Sequence, residues 1–162
     1  MLNFNNKKIY YTMGNGVGVA KNKLNAFDRA LLASGSANYN LISISSILPG
    51  GAQFVSKIDY KEGSLLPVAI AKKIIEPTEK KIMLAAAVAI GIPEDKNEVG
   101  IIMEWAGITT EDFAKEKVLS MVSVAMKDRE ISNYSTKVSS VERESSSSEF
   151  VCVLAYVALL PQ

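Results

Sequence analysis

Two adjacent serines, Ser45 and Ser46, carry the most unusual chemistry that the sequence suggests. They end a strand-like alternation of apolar and polar residues and precede the turn signal Pro49-Gly50-Gly51. When the carbonyl of one residue lies against the hydroxyl of a following serine, the hydroxyl can attack it and convert the peptide bond into an ester. β-Elimination and hydrolysis then yield an N-terminal pyruvoyl group and ammonia. Most Ser-Ser pairs only form turns, which is the favoured interpretation of the dipeptide alone.

The absence of histidine restricts what kind of enzyme this chain could be. The 162 residues include no histidine and one cysteine, Cys152. A Ser-His-Asp or Cys-His nucleophile and a zinc site of His and Cys are therefore excluded within the chain. An enzyme of this composition needs carboxylates, lysines, hydroxyls or an electrophile made from the chain itself. Cys152 lies between two valines, which predicts a buried apolar side chain rather than a reactive thiol.

Two carboxylates are candidates for acid–base or substrate-binding roles. Glu104 follows an apolar run and is flanked by Met103 and Trp105. Desolvation there would raise its pKa, as a general acid near neutral pH requires. An outward-facing glutamate paired with a lysine is an equally good interpretation. Asp28 lies in a predicted helix, where the pattern favours an exposed carboxylate paired with a nearby lysine.

A glycine-rich run, Gly14–Gly18, separates a predicted strand from a predicted helix. Its spacing matches neither the GxGxxG dinucleotide pattern nor the Walker pattern with its Lys and Ser/Thr. We interpret it as a flexible loop near a substrate site, with a nucleotide-binding loop as the less favoured alternative.

The periodicity of apolar residues predicts two helices and about eight strands. The helices are Asn22–Ala33, capped by Asn22 and ended at Gly35, and Thr109–Met126, capped by Thr109. The strands are Lys8–Met13, Asn38–Leu48, Gln53–Ile58, Leu65–Ile75, Lys81–Ile92, Val99–Trp105, Tyr134–Val141 and Phe150–Leu160. Periodicity alone also permits a helix in the Ala-rich segment Lys81–Ile92. Helices and strands do not alternate strictly, so we expect an α+β or layered α/β sandwich with largely antiparallel sheets. The length suits one domain.

Charge and hydropathy argue against several classes of partner. Lys and Arg number 18 against 17 Asp and Glu, which gives no support for binding nucleic acid or an anionic membrane. The longest apolar runs reach about eleven residues, too short for a membrane span. The N-terminus lacks the apolar run of a signal peptide. With a single cysteine, the expected compartment is the reducing cytoplasm.

Five segments together carry a family resemblance. They occur in order and with compatible spacing: LNAFDRALL (24–32), NLISISSILP (40–49), GSLLPVAIA (63–71), AAAVAIGIP (85–93) and GIIMEWAG (100–107). The chain resembles the pyruvoyl-dependent arginine decarboxylases of archaea and some bacteria over most of its length. The resemblance weakens before about Ile9 and in residues 128–148. Trp105 stands where the family often has Tyr, and LPGGAQFV follows the serine pair in place of a diproline-type turn.

The resemblance implies a fold and a self-processing reaction. The family fold is a four-layer αββα sandwich, here a single domain of residues 1–162. Cleavage would fall between Ser45 and Ser46, leaving a β chain of 1–45 and an α chain of 46–162. Ser46 would become the covalent pyruvoyl group, with neither pyridoxal phosphate nor a metal. Asn40 matches an asparagine implicated in processing.

The resemblance also implies the reaction and the assembly. L-Arginine would lose CO₂ through a Schiff base with the pyruvoyl group and give agmatine, in polyamine synthesis or acid resistance. Glu104 matches the proton donor, Asp28 the carboxylate that meets the guanidinium, and Leu24 and Leu31 the apolar lining of that pocket. The expected homo-oligomer is a trimer or a dimer of trimers with active sites between subunits. The alternatives are a pyruvoyl-dependent decarboxylase of another amino acid, such as lysine or ornithine, and a non-catalytic trimeric relative that keeps the fold.

Overall fold

The structure is a computed structural model and describes residues 8–161. Within that range the chain forms two helices and nine strands. The helices are α1 (Lys23–Ser34) and α2 (Glu111–Asp128). The strands are β1 (Ile9–Ala20), β2 (Asn40–Ser43), β3 (Ile47–Leu48), β4 (Gln53–Phe54), β5 (Leu65–Ile75), β6 (Met83–Pro93), β7 (Gly100–Ile108), β8 (Tyr134–Glu144) and β9 (Phe150–Pro161).

The strands form two sheets that pack face to face. One sheet has the order β2-β5-β9-β1-β4 and the other β3-β7-β6-β8. Pairing is antiparallel except for β1 with β4 and β2 with β5. Helix α1 covers the outer face of the five-stranded sheet, and α2 covers the outer face of the four-stranded sheet. The layers therefore run α, β, β, α, as the family resemblance implies, and the largely antiparallel α+β fold predicted from the residues is confirmed.

Three apolar cores lie between the four layers. Each strand presents alternate side chains to opposite faces, so each sheet contributes to the core between the sheets and to the core under its helix. The core between the sheets includes Leu48, Val88, Ile102 and Val157. A second core lies between α1 and the five-stranded sheet, and a third between α2 and the four-stranded sheet. Strands β6 and β9 are buried on both faces. This burial explains why their sequences are nearly continuous apolar runs.

The glycine-rich run is part of a strand, so the predicted loop is wrong. Gly14–Gly18 lies inside β1, which pairs with β9 along its whole length. A Cβ atom on Gly16 would overlap the carbonyl oxygen of Ala30, and one on Gly18 would overlap that of Ala26. The glycines therefore let the backbone of α1 lie directly against β1. A phosphate-binding loop is not formed at this position.

The helix boundaries follow from side-chain caps. Asn22 accepts a hydrogen bond from the backbone N–H of Asn25, and Gly35 adopts a left-handed conformation with φ of 82° at the end of α1, as predicted. Helix α2 is capped one residue later than predicted. The side chain of Thr110 accepts from the N–H of Phe113, whereas the N–H of Thr109 donates to the carbonyl of Met83.

The predicted strand Asn38–Leu48 is divided between the two sheets. Strand β2 pairs in parallel with β5 in the five-stranded sheet, and β3 pairs antiparallel with β7 in the four-stranded sheet. Residues 44–46 carry the chain from one sheet to the other, so the serine pair lies at this crossing. Neither helix in the described range is long and apolar enough to span a membrane.

Candidate active site

The backbone at the serine pair is hydrogen-bonded to both sheets. The N–H of Ile44 donates to the carbonyl of Val68 in the five-stranded sheet, at 3.0 Å. The N–H of Ile102 in the four-stranded sheet donates to the carbonyl of Ser46, at 2.8 Å. Ser45 is exposed and Ser46 is half-buried. The peptide bond between the two serines is therefore held from both ends at an edge that solvent can reach.

The side chain of Ser46 faces the carboxylate of Glu104. Ser46 Oγ donates to Glu104 Oε2 at 3.2 Å and to Oε1 at 3.4 Å. Both distances are long for a hydroxyl–carboxylate hydrogen bond, so the interaction is shared and weak. The structure thus brings together two predicted site residues that lie 58 positions apart.

Burial makes the Glu104 carboxyl hold its proton more tightly than an exposed glutamate does. It raises the pKa of the Glu104 carboxyl above its ordinary value, and the hydrogen bond from Ser46 lowers it by a smaller amount. Of the two interpretations that the sequence left open for Glu104, the structure has the half-buried carboxyl, and the flanking residues lie on the opposite face of β7. Met103 and Trp105 pack toward α2, whereas Glu104 shares its face of β7 with Ile102 and the core between the sheets.

This pair of groups can move a proton at one defined place. An ionised Glu104 can accept the hydroxyl proton of Ser46, and a protonated Glu104 can deliver a proton to an atom at the position of Ser46. Because its pKa is raised, the carboxyl changes protonation state closer to neutral pH than an exposed glutamate does.

The predicted substrate residues lie on the other side of the five-stranded sheet. Asp28 and Leu24 are on α1, and both are exposed, Leu24 by 74%. Leu31 is only 9% exposed and packs in the core between α1 and the sheet. Within one chain the structure does not bring these residues to Ser46 and Glu104. Leu31 acts here as a core residue.

Asn40 is hydrogen-bonded away from the serine pair. Its Nδ2 donates to the carbonyl of Gly63 at 2.7 Å, and its backbone N–H donates to the carbonyl of Ser64 at 2.9 Å. These bonds hold the start of β2 against the loop that precedes β5. Cys152 is buried, as predicted, and burial raises the pKa of its thiol to about 11.

The backbone groups that surround the serine pair could not be predicted from the sequence. The N–H groups of Ile44, Ile47 and Ile102 all take part in hydrogen bonds at the crossing. Backbone donors leave no signature in residue type, and the alternation of residues 38–48 continues through the point where the strand breaks.

Comparison with known proteins identifies the family. A family model described as pyruvoyl-dependent arginine decarboxylase matches residues 9–162. The chain belongs to the pyruvoyl-dependent arginine decarboxylase family. This membership makes the protein an enzyme of the carboxy-lyase type. The family's prosthetic group is a covalent pyruvoyl group rather than pyridoxal phosphate or a metal.

Several proteins named pyruvoyl-dependent arginine decarboxylase are similar to this chain. The one from Methanococcus aeolicus is 38% identical over 148 residues, which cover 89% of this chain and 85% of the relative. The one from Thermococcus kodakarensis is 39% identical over 121 residues, covering 74% and 75%. The one from Methanococcus vannielii is 41% identical over 106 residues, covering 65% and 63%.

The residues at the sheet crossing are compatible with the pyruvoyl group of this decarboxylase family. The family's prosthetic group needs a serine whose hydroxyl can reach the preceding carbonyl. Ser46 has such a neighbour in Ser45, and its hydroxyl already contacts a carboxylate that can take its proton.

Proposed function

We propose that this protein cleaves its own chain between Ser45 and Ser46 and then decarboxylates L-arginine to agmatine and CO₂. The observation that carries the proposal is the contact between the Ser46 hydroxyl and the Glu104 carboxylate at the sheet crossing. Arginine as the substrate is supported by the names of the relatives.

Self-cleavage begins with the hydroxyl of Ser46. Its Oγ forms a bond to the carbonyl carbon of Ser45 while Glu104 takes the hydroxyl proton. The C–N bond then breaks, the nitrogen of Ser46 takes a proton, and an ester joins the two residues. Elimination removes the Cα proton of Ser46 and expels the Ser45 carboxylate, which leaves a dehydroalanine at position 46. A proton added at its Cβ converts the dehydroalanine into an imine. Water then adds to the imine carbon, the nitrogen leaves as ammonia, and the pyruvoyl group is complete.

The two products remain one folded domain. The fragment 1–45 contains β1, α1 and β2, and the fragment 46–162 contains the remaining elements. Strand β1 pairs with β9 over twelve residue pairs, from Ile9 opposite Pro161 to Ala20 opposite Phe150. Cleavage at the crossing breaks none of these pairs. Both new ends stay attached to their own sheets.

In the decarboxylation, Glu104 acts as the proton donor. The pyruvoyl group supplies a ketone for Schiff-base formation with the amine of arginine and accepts the electron pair released with CO₂. Glu104 then protonates the former α-carbon of the substrate. Its raised pKa favours the protonated form that this step needs. Ile102 and Ala106 on the same face of β7 help to limit access of water.

Recognition of the guanidinium group is assigned to Asp28 of another subunit. A carboxylate suits the planar guanidinium group because it can accept two parallel hydrogen bonds. In one chain, Asp28 lies beyond the five-stranded sheet from Glu104, so a complete site needs a second copy. The proposed assembly is therefore a trimer, or a dimer of trimers, with active sites between subunits. The exposed Leu24 on the same helix suits an apolar lining contributed to a neighbour.

The cytoplasm remains the proposed compartment because a single cysteine, Cys152, is typical of proteins in a reducing environment.

Denaturing mass spectrometry of the purified protein tests the proposal most directly. We expect two fragments divided at Ser45/Ser46, with position 46 carrying a carbonyl that reacts with hydroxylamine. Ser46→Ala should remain whole and inactive. Ser45→Ala is the matched control, since it keeps the nucleophile and the carbonyl, and it should be cleaved.

The activity assay follows CO₂ release from carboxyl-labelled arginine, lysine and ornithine. Preference for lysine or ornithine would contradict arginine as the substrate. A chain that remains whole, with no reactive carbonyl, would instead identify a non-catalytic relative.

A further inference from the structure

A backbone hydrogen bond spans the residue that is proposed to attack. The N–H of Ile47 donates to the carbonyl oxygen of Ser45 at 2.9 Å. This bond closes a three-residue γ-turn centred on Ser46. Among the described non-glycine residues only Glu130 has a positive φ, so the turn at Ser46 is of the common inverse type. The carbonyl next to the attacking hydroxyl is thus already hydrogen-bonded.

The register of β3 explains why this N–H is available. Ile47 lies opposite Ile101, and the N–H of Ile102 donates to the carbonyl of Ser46. Bonded and non-bonded pairs alternate along an antiparallel ladder, so Ile47 occupies a non-hydrogen-bonded position. Its N–H therefore points away from β7. Because β3 is the edge strand of its sheet, the N–H is free to bond back to Ser45.

We propose that the backbone N–H of Ile47 stabilises the negative charge that forms on the Ser45 carbonyl oxygen during self-cleavage. The inference builds on the proposed function, because it concerns the same bond. As Ser46 Oγ bonds to the carbonyl carbon, the π electrons of the carbonyl move onto its oxygen. A donor already aimed at that oxygen becomes stronger as the charge develops and needs no reorganisation. When the C–N bond breaks, those electrons re-form the carbonyl of the ester.

The anchors on either side hold this donor in register with its acceptor. On the N-terminal side of the scissile bond, the N–H of Ile44 donates a hydrogen bond to the carbonyl of Val68. On the C-terminal side, the carbonyl of Ser46 accepts a hydrogen bond from the N–H of Ile102. The turn between these two anchors consequently keeps the Ile47 N–H on the Ser45 oxygen while the hydroxyl approaches.

Side chains near the crossing are less suited to this task. The amide of Asn40 already donates to the carbonyl of Gly63. The carboxylate of Glu104 accepts from Ser46 Oγ, and in its ionised form its charge has the wrong sign to stabilise an oxyanion. The N–H of Ile47 is the donor that the structure places on the oxygen in question.

Replacing a single backbone N–H by oxygen provides the test. Cell-free translation can introduce the α-hydroxy acid analogue of isoleucine at position 47, which turns the 46–47 amide into an ester and keeps the side chain. The matched control is the leucine analogue at Leu48. It removes the next N–H of the same strand, which the ladder directs at β7 rather than at Ser45. Denaturing mass spectrometry follows the appearance of fragments over time and distinguishes cleavage at 45/46 from ester hydrolysis at 46/47.

We expect cleavage at Ser45/Ser46 to slow by about 100-fold or more with the analogue at Ile47, as for loss of one oxyanion donor. The analogue at Leu48 should be cleaved at a rate close to that of the unmodified chain. Equal slowing by both analogues, or unchanged cleavage with the Ile47 analogue, would overturn the inference. An unmodified chain that is never cleaved would instead overturn the proposed function.

A second pair of variants keeps the inference testable if the ester-containing chain does not fold. Ile47→Pro removes the N–H genetically, and Ile47→Val keeps it with a similar side chain. Ile47→Pro should be cleaved at least about 100-fold more slowly than Ile47→Val. Folding of both is checked by the protease resistance of the paired β1 and β9. A folded Ile47→Pro chain that is cleaved at the rate of Ile47→Val would contradict the inference.

Discussion

Ser46 Oγ lies 3.2 Å from Glu104 Oε2, although 58 residues separate the two along the chain. The contact exists because the chain changes sheets at Ser45 and Ser46, and β3 then pairs with β7, which carries Glu104. The attacking hydroxyl and the group that can take its proton are thereby positioned by the same strand pair. The arrangement needs no histidine, in agreement with the composition.

Glu104→Gln should impair both reactions of the site. The amide still fills the space, but it neither takes the Ser46 proton nor donates one to substrate. We expect slower cleavage and at least about 100-fold lower decarboxylation per cleaved chain. Cleavage is measured by mass spectrometry and turnover by CO₂ release. Asp112→Asn is the control because it removes a charge from the exposed end of α2. Wild-type turnover by Glu104→Gln would remove Glu104 from this role.

The raised pKa of Glu104 should appear in the pH dependence of activity. The proton donor acts in its protonated form, so we expect activity of the cleaved enzyme to fall as the pH rises through the raised pKa. An exposed glutamate would lose its proton nearer its ordinary value of 4.5. The residual activity of Glu104→Gln should lack this fall. A profile shared by both proteins would assign the fall to another group.

The same shift predicts how stability depends on pH. The folded chain holds the Glu104 proton more tightly than the unfolded chain, because burial penalises the ionised form. The free energy of unfolding should therefore decrease as pH rises from about 4.5 to the folded-state pKa. Urea unfolding of uncleaved Ser46→Ala, with and without Glu104→Gln, measures the difference. If the free energy of unfolding changed with pH to the same extent in the two proteins, the result would argue against a raised pKa of Glu104.

The glycines of β1 should matter through packing against α1. In Gly18→Ala the added Cβ meets the backbone of Ala26, which cannot move without displacing α1. We expect a loss of about 3 kcal/mol in urea unfolding. At Gly35 an added Cβ would meet no other atom, but the backbone has a φ of 82°, which disfavours any residue with a Cβ. The loss of unfolding free energy in Gly35→Ala should therefore be smaller, about 1 kcal/mol. The reverse order of these two losses would contradict the packing explanation for Gly18.

An active site between subunits predicts complementation. Asp28→Asn should cleave normally but bind arginine about 10- to 100-fold more weakly, since a charged hydrogen-bonding partner is lost. Ser46→Ala lacks the electrophile but keeps Asp28. Subunits of the two variants, unfolded and refolded together, should regain activity that neither has alone at low arginine. Failure to regain activity in verified mixed oligomers would place Asp28 outside a shared site.

Local sequence patterns predicted much of the fold because helix ends and strands depend largely on interactions between residues close together in the chain. Asn22 and Gly35 mark the ends of α1 through hydrogen bonds within a few residues and through backbone conformation. The continuous apolar run Phe150–Leu160 predicted a strand, and β9 forms there with both faces buried. The local pattern gave a wrong prediction at Gly14–Gly18, because glycine is typical of loops. Here the glycines are needed because helix α1 lies directly against β1. A contact between two separate elements cannot be predicted from a local pattern.

The sequence by itself therefore determined which residues could do chemistry: a serine pair, a carboxylate in an apolar strand, and no histidine. The family resemblance added their expected roles. Only the tertiary structure decided that the strand Asn38–Leu48 breaks at the serines and that Ser46 meets Glu104 there. It also decided that Glu104 lies on the face of β7 that carries Ile102 toward the core between the sheets, whereas Met103 and Trp105 lie on the other face. These outcomes depend on pairing between strands far apart in the chain, and a local pattern does not encode which strand a segment will join.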